Sequence, residues 1–245
     1  MSDMPQIRWG GKRAKAVLVL VAALVFVLSP LLTEGFAGFD PELFPVPQDN
    51  PPVQPAGYAF GIWGPIYLWL VIHAGFGLMR RADDPGWDAG RWPLFLSLGL
   101  GSGWIAIANV SAPLATLVIW LMLLGALVAL FESPRGDRWL VQAPLGVYAG
   151  WLTAASWVSV GLMLGGYGVM GETAAALAAL TLATGFAAAL QWLLGRAPEY
   201  GLTVIWALIA VIVANFAAAP AIAALAATGA AVMAGFAFRA SGPGE

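Results

Sequence analysis

The sequence has no cysteine, which excludes disulfides, thiolate metal sites and cysteine nucleophiles. It has one histidine, His73, too few for a multi-histidine metal cage. Charge is scarce as well. Asp, Glu, Lys and Arg make up 10% of the 245 residues, where a soluble domain carries about 25%. A formal net charge of -2 provides no basic footprint for nucleic acid. No charged residue lies deep within any long apolar run, which argues against an ion-coupled pump or a voltage sensor.

What fills the chain instead is apolar surface, 60% of all residues. A soluble fold has no interior large enough to hide it, so the expected solvent is lipid. About 20 apolar residues cross the hydrocarbon as a helix. Runs of that size fall at about 14–32, 56–79, 92–110, 113–131, 140–165, 173–194, 202–218 and 220–238. The expected fold is therefore all-α, a polytopic membrane bundle of eight transmembrane helices. The first run is long for a signal sequence and is read as a retained helix. Pro113 and Pro220 open their helices at the first turn, where an amide would go unpaired anyway.

Loop charges supply an orientation. Lys and Arg concentrate in cytoplasmic loops. With the N-terminus inside, segments 1–13, 80–91, 132–139, 195–201 and 239–245, with the adjoining Lys15, hold all eleven Lys and Arg. The outer loops carry Glu34, Asp40, Glu42, Asp49 and Glu172 and no basic residue. Both termini are therefore expected in the cytoplasm. A tight hairpin that re-enters instead of crossing leaves six spans as the alternative. The one long outer loop, 33–55, holds six prolines and Phe36, Phe39 and Phe44. It reads equally as a stiff connector or as a lid over the bundle.

Twelve tryptophans are present. Trp9, Trp87, Trp92, Trp139 and Trp192 sit near inner ends, as interfacial anchors do. Others, including Trp63, Trp104, Trp151 and Trp157, lie within spans, where an indole N–H needs a partner. Phe60, Trp63 and Tyr67 fall on one helical face, as do Tyr148 and Trp151. Residues alone leave this as helix packing or as a site for a flat aromatic ligand. Three GxxxG pairs, Gly99/Gly103, Gly146/Gly150 and Gly161/Gly165, are read as close-packing positions.

The segment Pro55-Ala56-Gly57-Tyr58-Ala59-Phe60-Gly61-Ile62-Trp63-Gly64-Pro65-Ile66-Tyr67 resembles the helix-two signature of the TspO/MBR family. These are the tryptophan-rich sensory proteins, related to the mitochondrial translocator protein. Pro144 to Ala155, with Tyr148 and Trp151 three apart, is similar to that family's last helix. Trp104 and Asn109 stand where its third helix would. The resemblance covers about 14–165, a five-helix unit, and leaves 166–238 as an additional three-helix segment between it and a cytoplasmic tail, 239–245. Two departures stand out. Phe60 and Trp63 are one residue closer than in short members, and Ser159 replaces an Asn.

The resemblance implies a pocket between helices, capped by the periplasmic loop 33–55, that binds porphyrins and other flat apolar molecules for sensing, transport or disposal. Carried over by position, its lining is Tyr58, Phe60, Trp63, Tyr67, Trp104, Asn109, Tyr148 and Trp151. No cofactor is obligatory; a bound tetrapyrrole is the expected ligand class, and a bacterial inner membrane the expected location. No acid–base or nucleophile constellation of the usual kind accompanies it. His73 is either a hydrogen-bonding group or, less plainly, an axial ligand to a haem or chlorophyll metal. Two other readings remain. The chain is an accessory subunit of a larger membrane complex, or a homo-oligomer, given its glycine- and alanine-rich faces. Or it is a small-molecule transporter of paired halves, from the likeness of Ala108–Pro113 to Ala214–Pro220.

Overall fold

A computed structural model describes residues 11–33 and 36–242. The tail that carries Arg8 and Trp9, the outer acid Glu34 and residues 243–245 lie outside the described residues. Everything described is helix, turn or loop. The helices are α1 (Lys12–Leu28), α2 (Trp63–Arg80), α3 (Pro85–Ala89), α4 (Arg91–Ala108), α5 (Ala112–Glu132), α6 (Gln142–Gly166), α7 (Glu172–Leu194), α8 (Pro198–Asn215) and α9 (Pro220–Ser241). Short 3-10 turns extend α1 through Ser29–Leu32 and lead into α2 through Gly57–Ile62.

Each of the eight expected apolar runs is a helix. The short α3 was not expected. Its start is local chemistry: Pro85 stands in the first turn, and the Asp84 carboxylate accepts from the amides of Gly86 at 2.8 Å and Trp87 at 3.4 Å. Pro113 and Pro220 do open α5 and α9. The Ser111 hydroxyl caps α5 through the Leu114 amide, and Gly195, at φ +60°, ends α7 in the left-handed conformation glycine adopts freely.

Among the described residues, seven helices are long and apolar enough to cross a membrane: α1 with its 3-10 extension, α2 with its 3-10 lead, and α5 to α9. The remaining long helix, α4, has 18 residues but begins on Arg91 and carries Pro93, Ser97, Ser102 and three glycines. It is wedged between α1 and α5 and turns Leu94, Ser97, Leu98, Gly101 and Trp104 inward. Its polar content therefore faces protein as well as lipid.

Helix α6 is the hub, packed against α2, α5, α7 and α8. Without a hydrophobic drive between helices in lipid, close packing and hydrogen bonds hold such a bundle. At Gly150 an added Cβ would lie 2.5 Å from the Tyr200 carbonyl oxygen, so α6 and α8 meet backbone to backbone. The Tyr200 hydroxyl meets the Thr153 hydroxyl at 3.0 Å. Helix α8 also fastens the loop before α2. The Ala56 amide donates to the Ala210 carbonyl at 3.0 Å, Asn215 to Pro52 at 2.9 Å and the Trp206 indole to Ala59 at 3.2 Å.

The basic residues gather at one end of the bundle and tie helix ends together. Lys15 pairs with Asp88 at 2.7 Å, Arg81 with Asp137 at 2.6 Å and Arg138 with Glu199 at 2.7 Å. Buried Arg91 donates to the carbonyls of Lys12, Arg81 and Ala82. Arg196 caps the end of α5 through Phe131 and Ser133.

Candidate functional site: an apolar chamber around α6

A chamber of about 70 Å³ lies beside α6. Helix α2 contributes Trp63, preceded by Phe60 from its 3-10 lead; α4 contributes Trp104, and α6 contributes Trp151. The 3-10 turn before α2 puts Phe60 and Trp63, three residues apart, on one side of the chain. Trp151 meets both edge-on, with ring centres 5.9 Å from Phe60 and 6.2 Å from Trp63. The Trp104 indole donates to the Ala115 carbonyl at 2.9 Å, which fixes its ring and satisfies its N–H. The opposite wall comes from the later helices, through Ala179, Leu180 and Ala183 of α7 and Val204, Ala207 and Leu208 of α8.

The long loop closes the mouth. Phe36 stands edge-on to Trp104 at 4.8 Å, and Phe39 lies 6.3 Å from the same ring. The loop is pinned behind them by the Val46 amide, which donates to Gly166 at 2.9 Å. Of the two readings of this loop, covering the chamber matches its position.

The structure brings four of the eight expected residues to the chamber wall: Phe60, Trp63, Trp104 and Trp151. The others stand away from it. Tyr67 stacks behind Trp63 at 5.3 Å and 20°. Tyr148 is fully buried, with its hydroxyl 2.9 Å from the Ser97 hydroxyl and its ring against Phe26. Tyr58 is half-exposed and packs on Trp206. Asn109 is exposed at the end of α4. For Tyr67 and Tyr148 nothing in the spacing distinguishes wall from backing, because each shares a helical face with a residue that lines.

His73 is buried at the other end of α2. Its Nδ1 lies 2.8 Å from the Leu140 carbonyl, so it carries the proton and donates, and its ring stacks on Trp87 at 5.0 Å. It borders a small crevice of about 20 Å³, apart from the chamber. No cluster of His, Cys, Asp or Glu able to hold a metal exists among the described residues.

Binding sites for ligands of drug size span about 300–1,000 Å³. The chamber as it stands is smaller, so a tetrapyrrole does not fit unless the loop and aromatic side chains withdraw. No chamber residue offers a ligand to a porphyrin metal. What the arrangement does provide is a set of aromatic faces and edges in an enclosure nearly free of polar groups, suited to a flat apolar molecule.

Fold and chamber together define an all-helical multi-pass membrane protein with an aromatic-walled interior chamber. The chain belongs to the TSPO-like protein family, whose model matches residues 16–239. The match runs past the five helices of the sequence resemblance and takes in α7, α8 and α9. No curated protein and no solved structure matches the sequence.

Proposed function

We propose that this protein binds flat, apolar ligands, tetrapyrroles among them, in the chamber beside α6, and serves their sensing, transport or disposal. The observation that carries the reading is the convergence of Phe60, Trp63, Trp104 and Trp151 on one enclosed apolar space. Membership of the TSPO-like family supports it. Access requires the Phe36–Phe39 part of the loop to lift, and for a macrocycle it must lift far enough to enlarge the space several-fold. The protein is oriented with the basic end, where Arg81, Arg91, Arg138 and Arg196 lie, in the cytoplasm, as the distribution of Lys and Arg favours.

The test is quenching of the purified protein's fluorescence by protoporphyrin. Replacing Trp63 and Trp151 together by Leu is expected to weaken binding about tenfold or more, since each stacked aromatic contributes on the order of 1 kcal/mol. Undiminished affinity in that variant removes the assignment.

A further inference from the structure

The chamber is lined by two kinds of surface, and they divide by helix. Six rings form one continuous group. Phe39 meets Trp104, Trp104 meets Phe36, Phe36 meets Phe60 at 6.2 Å, and Phe60 and Trp63 both meet Trp151. These rings come from the loop, α2 with its lead, α4 and α6. Helices α7 and α8 supply none. Their lining residues are alanine, valine and leucine, with Thr184 the single exception. Val53 of the loop joins them where it and Ala179 close on Gly161 of α6. Trp157, the remaining aromatic of the lining, packs with Trp120 and Phe186 in a separate group.

The polar side chains of the lining are Gln54, Thr153, Ser159 and Thr184. Two are turned toward protein. The Thr153 hydroxyl donates to the Ala149 carbonyl at 2.9 Å and meets the Tyr200 hydroxyl at 3.0 Å. The Thr184 hydroxyl faces α9, since a Cβ added to Gly229 would lie 2.7 Å from its oxygen. Gln54 belongs to the loop, with its amide against Gly38, and Ser159 belongs to α6. The α7–α8 wall therefore presents saturated hydrocarbon to the chamber.

The two surfaces suit different chemistry. A ring against rings gains an electrostatic preference that an aliphatic wall does not return. In lipid, apolar surface alone gives no advantage, so closeness of fit decides what is held. Aliphatic side chains gain by dispersion contact, which a bendable saturated chain makes by following their relief. We infer that the chamber takes a two-part ligand, a flat ring system carrying a saturated hydrocarbon chain. The ring lies on the aromatic wall and the chain against α7 and α8. This rests on the chamber being the ligand site and specifies its ligand class. It also gives the later helices a task, since they supply the wall for the chain.

The experiment uses the full chain in detergent and two probes, naphthalene and 2-butylnaphthalene, titrated by calorimetry. Affinity for each variant is divided by that for the native protein at the same detergent concentration, which cancels partition into micelles. Ala207→Leu fills space at the α8 wall and should weaken butylnaphthalene about tenfold more than naphthalene. The Trp63→Leu, Trp151→Leu variant should weaken both. A second reading needs no variant, and it decides alone if Ala207→Leu does not fold. A naphthalene whose butyl chain ends in a diazirine should label α7 or α8 of the native protein on irradiation, and excess butylnaphthalene should remove the label. Equal weakening of both probes in a folded Ala207→Leu protein, or a label confined to other helices, overturns the inference. If the tryptophan variant weakens both probes while Ala207→Leu spares both, only the placement of the chain falls. If the tryptophan variant weakens neither, or neither probe binds the native protein, the chamber reading falls as well.

Discussion

At the scale of single residues, side chains that look alike in the sequence do different work. Tyr148 and Trp151 share a helical face, yet only the indole reaches the chamber; the tyrosine is sealed against Ser97 and Phe26. Tyr148→Phe is therefore expected to lower stability by about 1 kcal/mol, the worth of a buried hydrogen bond. Ligand affinity should be unchanged. A thermal scan and a binding titration of the same sample check both. Asp137 offers a second residue-level test. The Arg81 guanidinium, bonded to it at 2.6 and 3.0 Å, holds its carboxyl below the ordinary value of 3.8, and the Trp87 indole assists. A lowered pKa in the folded state means the stabilisation is complete above 3.8 and disappears as pH falls through the lower value. Melting temperature should thus decline with acid only below about pH 4 on this account. Asp137→Asn should melt lower at neutral pH and lose part of that acid dependence.

At the scale of helices, three GxxxG pairs that read identically separate into kinds. Gly146 and Gly150 meet α8, and Gly161 meets Val53 and Ala179, whereas an added Cβ at Gly99 or Gly103 touches nothing. Gly150→Ala has to push the Tyr200 backbone away and should cost about 1–3 kcal/mol, the usual penalty of overpacking. Gly99→Ala, on an exposed face of α4, should be neutral or slightly stabilising through helix propensity. Side-by-side melting curves decide this, and equal losses in the two variants would contradict it. The helices themselves were legible in the sequence because length and apolarity alone define them, and Pro113 and Pro220 mark two starts by a local rule. The positions of Phe60, Trp63, Trp104 and Trp151 on the chamber wall were legible too, where aromatic spacing coincided with the inner face. The α7 and α8 walls were not. Ala179, Ala183 and Ala207 sit in runs of alanine that read the same whether they face a cavity, a helix or lipid. The short α3 escaped because its apolar content is too small to form a run, although Asp84-Pro85 is a recognisable cap.

At the scale of the molecule, the chamber draws its wall from early and late helices alike. Sequence resemblance separates a five-helix unit from three later helices, but α8 bonds to the loop before α2 and packs backbone to backbone on α6. The chamber takes one wall from each part. We propose that the later helices complete the binding unit, consistent with a family match that spans 16–239. The most direct measurement fills the chamber from the side of the later helices. Ala183→Phe places a ring into the space from α7, far in sequence from every aromatic of the family signature. Protoporphyrin affinity of the purified variant should fall at least tenfold, while its melting temperature stays within a few degrees of the native protein. Native affinity for protoporphyrin in a well-folded variant would contradict a chamber shared by the two parts of the chain.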